Sequence, residues 1–598
     1  MSETQARLAS LPLFADLPGA AVAALADLAE PVSLPVGEVL CQAGDTPRWW
    51  FVLLNGRLQK TVADTSTLID PGALIGASEL LGHHPFAQDI LVLRDSVLLR
   101  FPAEALEPFL LDHPPVLLAL SRHLLRQQAT SRPDHAARQG TLALVPASPG
   151  VPAATLGEEL VGRLGGWPRA RMVTEAHVRA DLGLNSLAAD SDSDSEQRLE
   201  TYLHRLEAAH PHLVYVADQG QGVWAERCLR HGDRVLMLVE AGAEPRPVPA
   251  LARLPGPLLA PLELVLLCAR GDSSTHTRAW REQLKARSHY YVQPWYGPDL
   301  DALARQITGR GLGLVLGGGG ARGFAHIGLI RALEQLQMPV DVMGGTSMGA
   351  FVSALLACGF SAVEMMQVAK DTFVSRNYLN DYTLPRVSLI RGRKFHQRLQ
   401  SVFGERTIES LWRSYFCVSS NLSSGEAVVH EFGSLATWVG TSMCVPGVAP
   451  PVLFEGELLC DGGVVDNLPT DVMQAMERGA IIASSVSAQS DIALEEMKSS
   501  LPDPGALLRR QRGASWPGFG EILLRTATLN SDTVVYPASV ARSDVCLHMP
   551  VTDVNMFDWK ALDMLVERGY QHALQVLEPL RDELLGESRE KRLIIENG

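Results

Sequence analysis

The stretch Gly311–Leu333, GLGLVLGGGGARGFAHIGLIRAL, reads as a buried strand, a glycine loop and a helix. An apolar run with no polar alternation suits a strand covered on both faces, the usual strand of a parallel α/β sheet. Gly318, Gly320 and Gly323 satisfy G-x-G-x-x-G, so a dinucleotide loop is the first reading to test. Such a site also needs an acidic residue closing the second strand, about 20 residues on, to hold the ribose. Asp341 stands near that distance but opens the second strand, which runs on into Gly344 and Gly345. No Gly-Lys-Ser/Thr follows the glycines, so a Walker phosphate loop is excluded.

The second strand leads into PVDVMGGTSMGAFVSALLACG, Pro339–Gly359. Within it Gly345, Ser347 and Gly349 form Gly-x-Ser-x-Gly between an apolar strand and a helix of small residues, the setting of a nucleophile elbow. The flanking residues must be small because the turn is tight. The serine must project at a helix N-terminus, where developing negative charge is favoured. A serine there is also an ordinary helix N-cap. The earlier loop favours the nucleophile. The run Gly318-Gly319-Gly320-Ala321-Arg322-Gly323 offers consecutive backbone N–H groups at a second helix N-terminus, which suits an ester oxyanion better than a pyrophosphate. A base is available in CDGGVVDNLP, Cys460–Pro469, where Asp461 follows a short strand. Taken alone, Asp-Gly-Gly is also a common turn. His326, His396 and His430 are the other candidate bases; His326 is read as a packing residue, and nothing around the other two suggests catalysis.

The rest of the chain sets the frame. It has 598 residues, 46% hydrophobic and 20% charged, with ample material for several cores. A net charge of −15 argues against a general nucleic-acid binder. Eight scattered cysteines lack C-x-x-C pairs or zinc spacing and read as small buried hydrophobes, so no metal site is expected. The N-terminus MSETQARLASLPLF has no signal-peptide pattern, and no apolar run reaches about 18 residues. A cytoplasmic protein, at most peripheral on a membrane, is expected.

Residues 12 to 110 carry short β-like runs between glycine turns, followed by helical sequence, which suggests a small β-barrel or jelly roll. Apolar strands at Thr141–Ser148, His212–Gln219, Asp233–Ala241 and Leu262–Ala269 alternate with helices, implying a parallel sheet. ADSDSDSEQ, Ala189–Gln197, reads as a solvated loop. PRVSLIRGRKFHQRL, Pro385–Leu399, concentrates Arg386, Arg391, Arg393, Lys394 and Arg398; it reads as a solvated helix start, with a headgroup or membrane contact as the alternative.

Gly-Gly-Gly-x-Arg-Gly, Gly-x-Ser-x-Gly and Asp-Gly-Gly in this order resemble the patatin-like phospholipases. That resemblance implies a Ser-Asp dyad without histidine: Ser347 the nucleophile, Asp461 the base, and Gly318, Gly319, Gly320 and Arg322 the oxyanion hole. It also implies acyl-ester hydrolysis through an acyl-serine, with no cofactor or metal. The N-terminal runs PVGEVLCQAGD and FVLLNGRLQ resemble the cyclic-nucleotide-binding domain, and the whole chain resembles the neuropathy target esterase family. The expected architecture is multidomain α/β: a cyclic-nucleotide-binding-like β-roll at 1–135, a Rossmann-like α/β region at 136–308, a patatin-like catalytic domain at 309–585 and a charged tail at 586–598. In PGALIGASELLGHHPFAQDI, Ala77 stands for the family's ribose-binding glutamate and Phe86 for its phosphate-binding arginine. Glu79 and Arg94 are displaced from those positions, so the domain is expected to be structural, without bound cyclic nucleotide. The expected partners are a lysophospholipid or phospholipid substrate, a membrane surface, and a second copy of the chain through a helix at Pro114–Gln128. The alternative is a nucleotide-responsive regulator or membrane-docking protein with a vestigial hydrolase fold.

Overall fold

Among the described residues, the apolar runs of this chain condense into three sheets. The computed structural model describes residues 3–586 except 12, 15–16, 63–64, 130–139, 167, 185–186, 188–192, 255, 270–274, 377, 488–524 and 527. The expected charged tail therefore lies outside the described residues, save Gly586. The chain divides into two compact units, the first reaching Leu300 and the second running from Asp301 with two short earlier segments.

The first unit holds two of the sheets. Its N-terminal part is an antiparallel roll built on two long strands, Trp49–Val62 and Asp89–Pro102, with four shorter partners. Phe86 is buried inside this roll among Cys41, Phe51, Leu58, Ile75, Val92 and Leu98. Ala77 is buried as well, in the neighbouring core.

The second sheet is parallel throughout, in the order Ser288–Val292, Leu262–Leu267, Arg234–Glu240, Gly140–Pro146, His212–Val216, Ala170–Thr174. Numbered along the chain and read from the Ala170–Thr174 edge this is 2-3-1-4-5-6, which exchanges the two outer strands on one side of the Rossmann order 3-2-1-4-5-6. Two of its strands, ARMVT and SHYYV, were not foreseen, because neither carries an apolar run. The expected loop at Ala189–Gln197 is corrected in part: a helix spans Ser193–Ala209. Acidic residues suit a helix N-terminus, and Leu199, Leu203 and Leu206 are buried at helical spacing.

The roll and the parallel sheet meet through charge. Arg94 lies 2.8 Å from Asp233 and 3.2 Å from Glu207, and Arg57 lies 3.3 Å from the same Asp233. Arg94 is thus taken up by carboxylates of the α/β region.

Among the described residues, the second unit is built on eight strands: β1 (Gly311–Leu316), β2 (Val342–Thr346), β3 (Ser414–Asn421), β4 (Ala427–His430), β5 (Val452–Phe454), β6 (Glu457–Asp461), β7 (Gly479–Ser485) and β8 (Val545–His548). Their order is β5-β6-β3-β2-β1-β7-β8, with β4 beside β3. The central run β3-β2-β1-β7-β8 is parallel. Every residue of β1 and β2 is buried, as their unbroken apolar character demands. Asp341, the carboxylate that a dinucleotide would need, accepts hydrogen bonds from Arg305 and from the Leu312 amide, tying the start of β2 to β1. Helix Ala325–Gln335 crosses helix Leu562–Leu577 at Gly328 and Gly569. A Cβ on either would lie about 2 Å from the other helix's backbone, at 2.1 Å and 2.2 Å.

Candidate active site

The site forms where β1 and β2 end near the end of β6, with β3 between β2 and β6. Leu316 pairs with Gly345 across β1 and β2, and Ser419 on β3 pairs with Asp461 on β6. Ser347 follows β2 directly and opens helix Met348–Ala357 with φ 54° and ψ −120°. A non-glycine residue there stores about 1–3 kcal/mol of backbone strain. The turn closes because its flanks have no side chains: a Cβ on Gly345 would fall 2.1 Å from the Leu316 carbonyl oxygen, and one on Gly349 1.9 Å from the same atom.

Ser347 Oγ donates to Asp461 Oδ2 at 2.7 Å. Asp461 Oδ1 accepts from the Gly463 amide at 2.9 Å, so the carboxylate is held at both oxygens. Burial pushes Asp461 up to about 6, against the opposing pull of the bonds from Ser347 and Gly463. A carboxyl with that affinity for protons is a much better base than an exposed aspartate and is still ionised at pH 7.

Two further residues, unmarked by any motif, position these groups. Ser442 Oγ accepts from the Ser347 amide at 2.9 Å and donates to the Val418 carbonyl at 2.6 Å. Asn467 clamps the glycine loop: its Oδ1 accepts from the Gly318 amide at 3.0 Å, while its Nδ2 donates to the Gly318 carbonyl and to Ser487 Oγ. The Thr346 hydroxyl donates to the Asp466 carbonyl, which fastens the turn after Asp461 to the elbow.

This clamp divides the expected oxyanion donors. The Gly318 N–H is spent on Asn467. The Arg322 guanidinium, as distinct from the backbone N–H expected to line the oxyanion hole, donates to the carbonyls of Val554 and Thr552 and anchors that loop. The Gly319 and Gly320 amides have no protein acceptor among the described residues, and both glycines line the cavity beside Ser347.

The histidines fall out differently. His326 is fully buried, with Nε2 2.8 Å from the Gly317 carbonyl and Nδ1 3.1 Å from Ser484 Oγ. A carbonyl can only accept, so Nε2 carries the proton and Nδ1 accepts from the serine. Burial pushes this imidazole down to about 4 and keeps it neutral, so it braces the glycine loop. His430 stacks on Trp438 and meets Ser419 on the strand beside Asp461. His396 lines the cavity, which nothing in its local sequence signalled.

That cavity holds about 1000 Å³, at the upper end of ligand pockets. Ser347 and Asp461 lie on its wall; Phe373, Leu379, Ile390, Phe395, Met443, Val448 and Trp559 give it an apolar lining. Arg391 and Arg393 line it too, so part of the basic cluster does more than solvate a helix start.

Residues 314–473, which contain the whole constellation, match the family model of patatin-like phospholipases. Residues 139–307 match the neuropathy target esterase family P-loop like domain, and residues 31–113 the cyclic nucleotide-binding domain. The chain is 30% identical over 97% of its length, and 97% of the relative's, to an "Uncharacterized NTE family protein" of Mycobacterium tuberculosis. The chain belongs to the neuropathy target esterase (NTE) family. It is also 30% identical to human patatin-like phospholipase domain-containing protein 6, over 91% of this chain and 44% of that one. Lysophospholipase NTE1 of Pyricularia oryzae is 26% identical over 92% of this chain and 42% of its own length. This NTE family chain thus spans less than half of those two longer relatives. Its C-terminal domain is a patatin-like phospholipase domain, preceded by cyclic-nucleotide-binding-like and α/β domains. Among the described residues, no helix is long and apolar enough to cross a membrane.

Proposed function

We propose that this NTE family chain hydrolyses the acyl ester of lysophospholipids, and of phospholipids more generally, through a Ser347–Asp461 dyad. One observation carries the reading: a strained serine donates its hydroxyl proton to a buried carboxylate at 2.7 Å on the wall of a large apolar cavity. As Ser347 Oγ bonds to the ester carbon, its proton passes to Asp461 Oδ2. The oxygen of the tetrahedral intermediate accepts from the Gly319 and Gly320 amides. Collapse breaks the bond to the glycerol oxygen, which takes the proton back from Asp461. A water then repeats the sequence on the acyl-serine: its proton goes to Asp461, its oxygen to the acyl carbon, and Ser347 Oγ leaves reprotonated. The apolar lining takes the acyl chain and excludes bulk water.

The β-roll acts as a structural module. Phe86 occupies its interior and Arg94 is already paired with Asp233 and Glu207. A cyclic phosphate would meet the Phe86 ring where the resemblance would seat an arginine.

The test is fatty-acid release from lysophosphatidylcholine by the wild type, Ser347→Ala and Asp461→Asn. Both variants should lose at least about a thousandfold, as members of one interdependent unit do. Robust release by either variant would refute the dyad.

A further inference from the structure

The loop Tyr382–Ile390 has no role in the chemistry above beyond the cavity lining by Ile390 at its base, yet it is built and held. A β-bridge pairs Tyr382 with Ile390. The Thr383 amide donates to the Leu389 carbonyl, and the Leu389 and Ile390 amides donate to Gly447 and Val448. Ile390 and Ser388 are buried and anchor the base of the loop. Its outer side chains do the opposite of what water favours: Leu384 is 78% exposed, Tyr382 70% and Val387 67%. An ordered loop that holds large apolar groups outward needs a partner to cover them.

Its charge says which partner. The protein carries a net −15, yet the segment from Asn380 to Arg398 has five cations, Arg386, Arg391, Arg393, Lys394 and Arg398, against the single carboxylate of Asp381. Asp381 is occupied by the amides of Gly392 and Lys394. Arg386, Arg391 and Arg393 have no carboxylate partner among the described residues. A basic collar around an apolar tip matches the headgroup and acyl layers of an anionic bilayer, and it opposes another surface of this acidic protein.

The loop is also continuous with the cavity. Ile390 and Arg391, at its base, line the cavity wall. A second exposed apolar segment is continuous with the cavity: Val452 of β5 lines it, and the same strand exposes Leu453 at 72% and Phe454 at 43%.

We propose that the Tyr382–Ile390 loop docks the catalytic domain on an anionic phospholipid surface, with Leu384 and Val387 entering the interface and Arg386 meeting lipid phosphates. This rests on the lipid-hydrolase reading and adds how substrate reaches the cavity: the acyl chain passes from the bilayer into the site beside the loop. The test uses the full chain, the double variant Leu384→Ser/Val387→Ser, and Arg386→Glu. Each is co-sedimented with vesicles of phosphatidylcholine, with and without phosphatidylglycerol, and assayed separately on a water-soluble short-chain ester. The double variant should lose about tenfold to a hundredfold in partitioning on both vesicle types. Arg386→Glu should lose about tenfold or more, and only on anionic vesicles. Turnover of the soluble ester should stay at the wild-type level in both, because these side chains lie outside the cavity lining; that also shows both variants to be folded.

The proposal is overturned if either variant partitions as the wild type does, or if the wild type does not bind anionic vesicles. It is equally overturned if the double variant changes only self-association, which would make the loop an interface between copies. Wild type that binds vesicles through the loop but turns over no ester would instead refute the hydrolase reading and leave the docking surface standing.

Discussion

Asp461→Asn should be both inactive and more stable than the wild type, with a stability gain that depends on pH in one direction. Burial raises Asp461 from 3.8 to about 6, so holding it ionised in the folded protein costs about 3 kcal/mol. The folded state binds the proton more tightly than the unfolded state does. Wild-type stability therefore falls as pH rises from about 4 to about 6, and the cost is complete above that. Asparagine has no charge to desolvate. Its Oδ1 can still accept from the Gly463 amide, and its amide group can donate to Ser347 Oγ. Asp461→Asn should thus melt higher than the wild type at about pH 8, by an amount worth up to about 3 kcal/mol. The advantage should shrink as pH falls through 6 and vanish near 4. Other titrating groups, Asp466 among them, are common to both proteins and largely cancel. The assay is paired thermal denaturation of the two proteins from about pH 4.5 to 8, alongside kcat/KM on a soluble ester. The wild-type kcat/KM should rise with pH on a single acid limb centred near 6, because only ionised Asp461 can take the serine proton. A melting difference independent of pH, or an acid limb near 4, would refute a desolvated carboxylate as the base.

Two further outcomes follow from side chains around the site and in the roll. Ser442→Ala removes the acceptor for the Ser347 amide; it should cost about 1–3 kcal/mol of stability for the stranded donor and lower kcat more than it raises KM, read by denaturation and steady-state kinetics. Calorimetric titration of the full chain with cyclic AMP or cyclic GMP should show no saturable binding, and Phe86→Ala should destabilise the protein by about 3–5 kcal/mol as its core empties.

Much of this protein was legible in its sequence because its chemistry is local. The glycine loop, the elbow and Asp-Gly-Gly each impose their geometry within a few residues: Gly345 and Gly349 must lack side chains where Leu316 passes, and Ser347 must sit between strand and helix. Those constraints leave a pattern that can be read in one dimension, and the apolar runs of β1 and β2 announce a sheet covered on both faces. The pairing across 114 residues of Ser347 with Asp461 was expected only through family resemblance, since nothing in either segment's spacing points to the other. The tertiary structure decided the rest. Ser442 and Asn467 are ordinary polar residues until the fold sets them against Ser347 and Gly318, and the second contact takes the Gly318 N–H out of the expected oxyanion donors. Asp461 holds its proton more tightly than an exposed aspartate only because packing strips its water. The cavity, and the apolar loop that stands exposed beside it, are assembled from segments distant along the chain. Local backbone geometry is written in consecutive residues; desolvation, shared hydrogen bonds and exposure depend on what folding brings near, and no short stretch of sequence contains them.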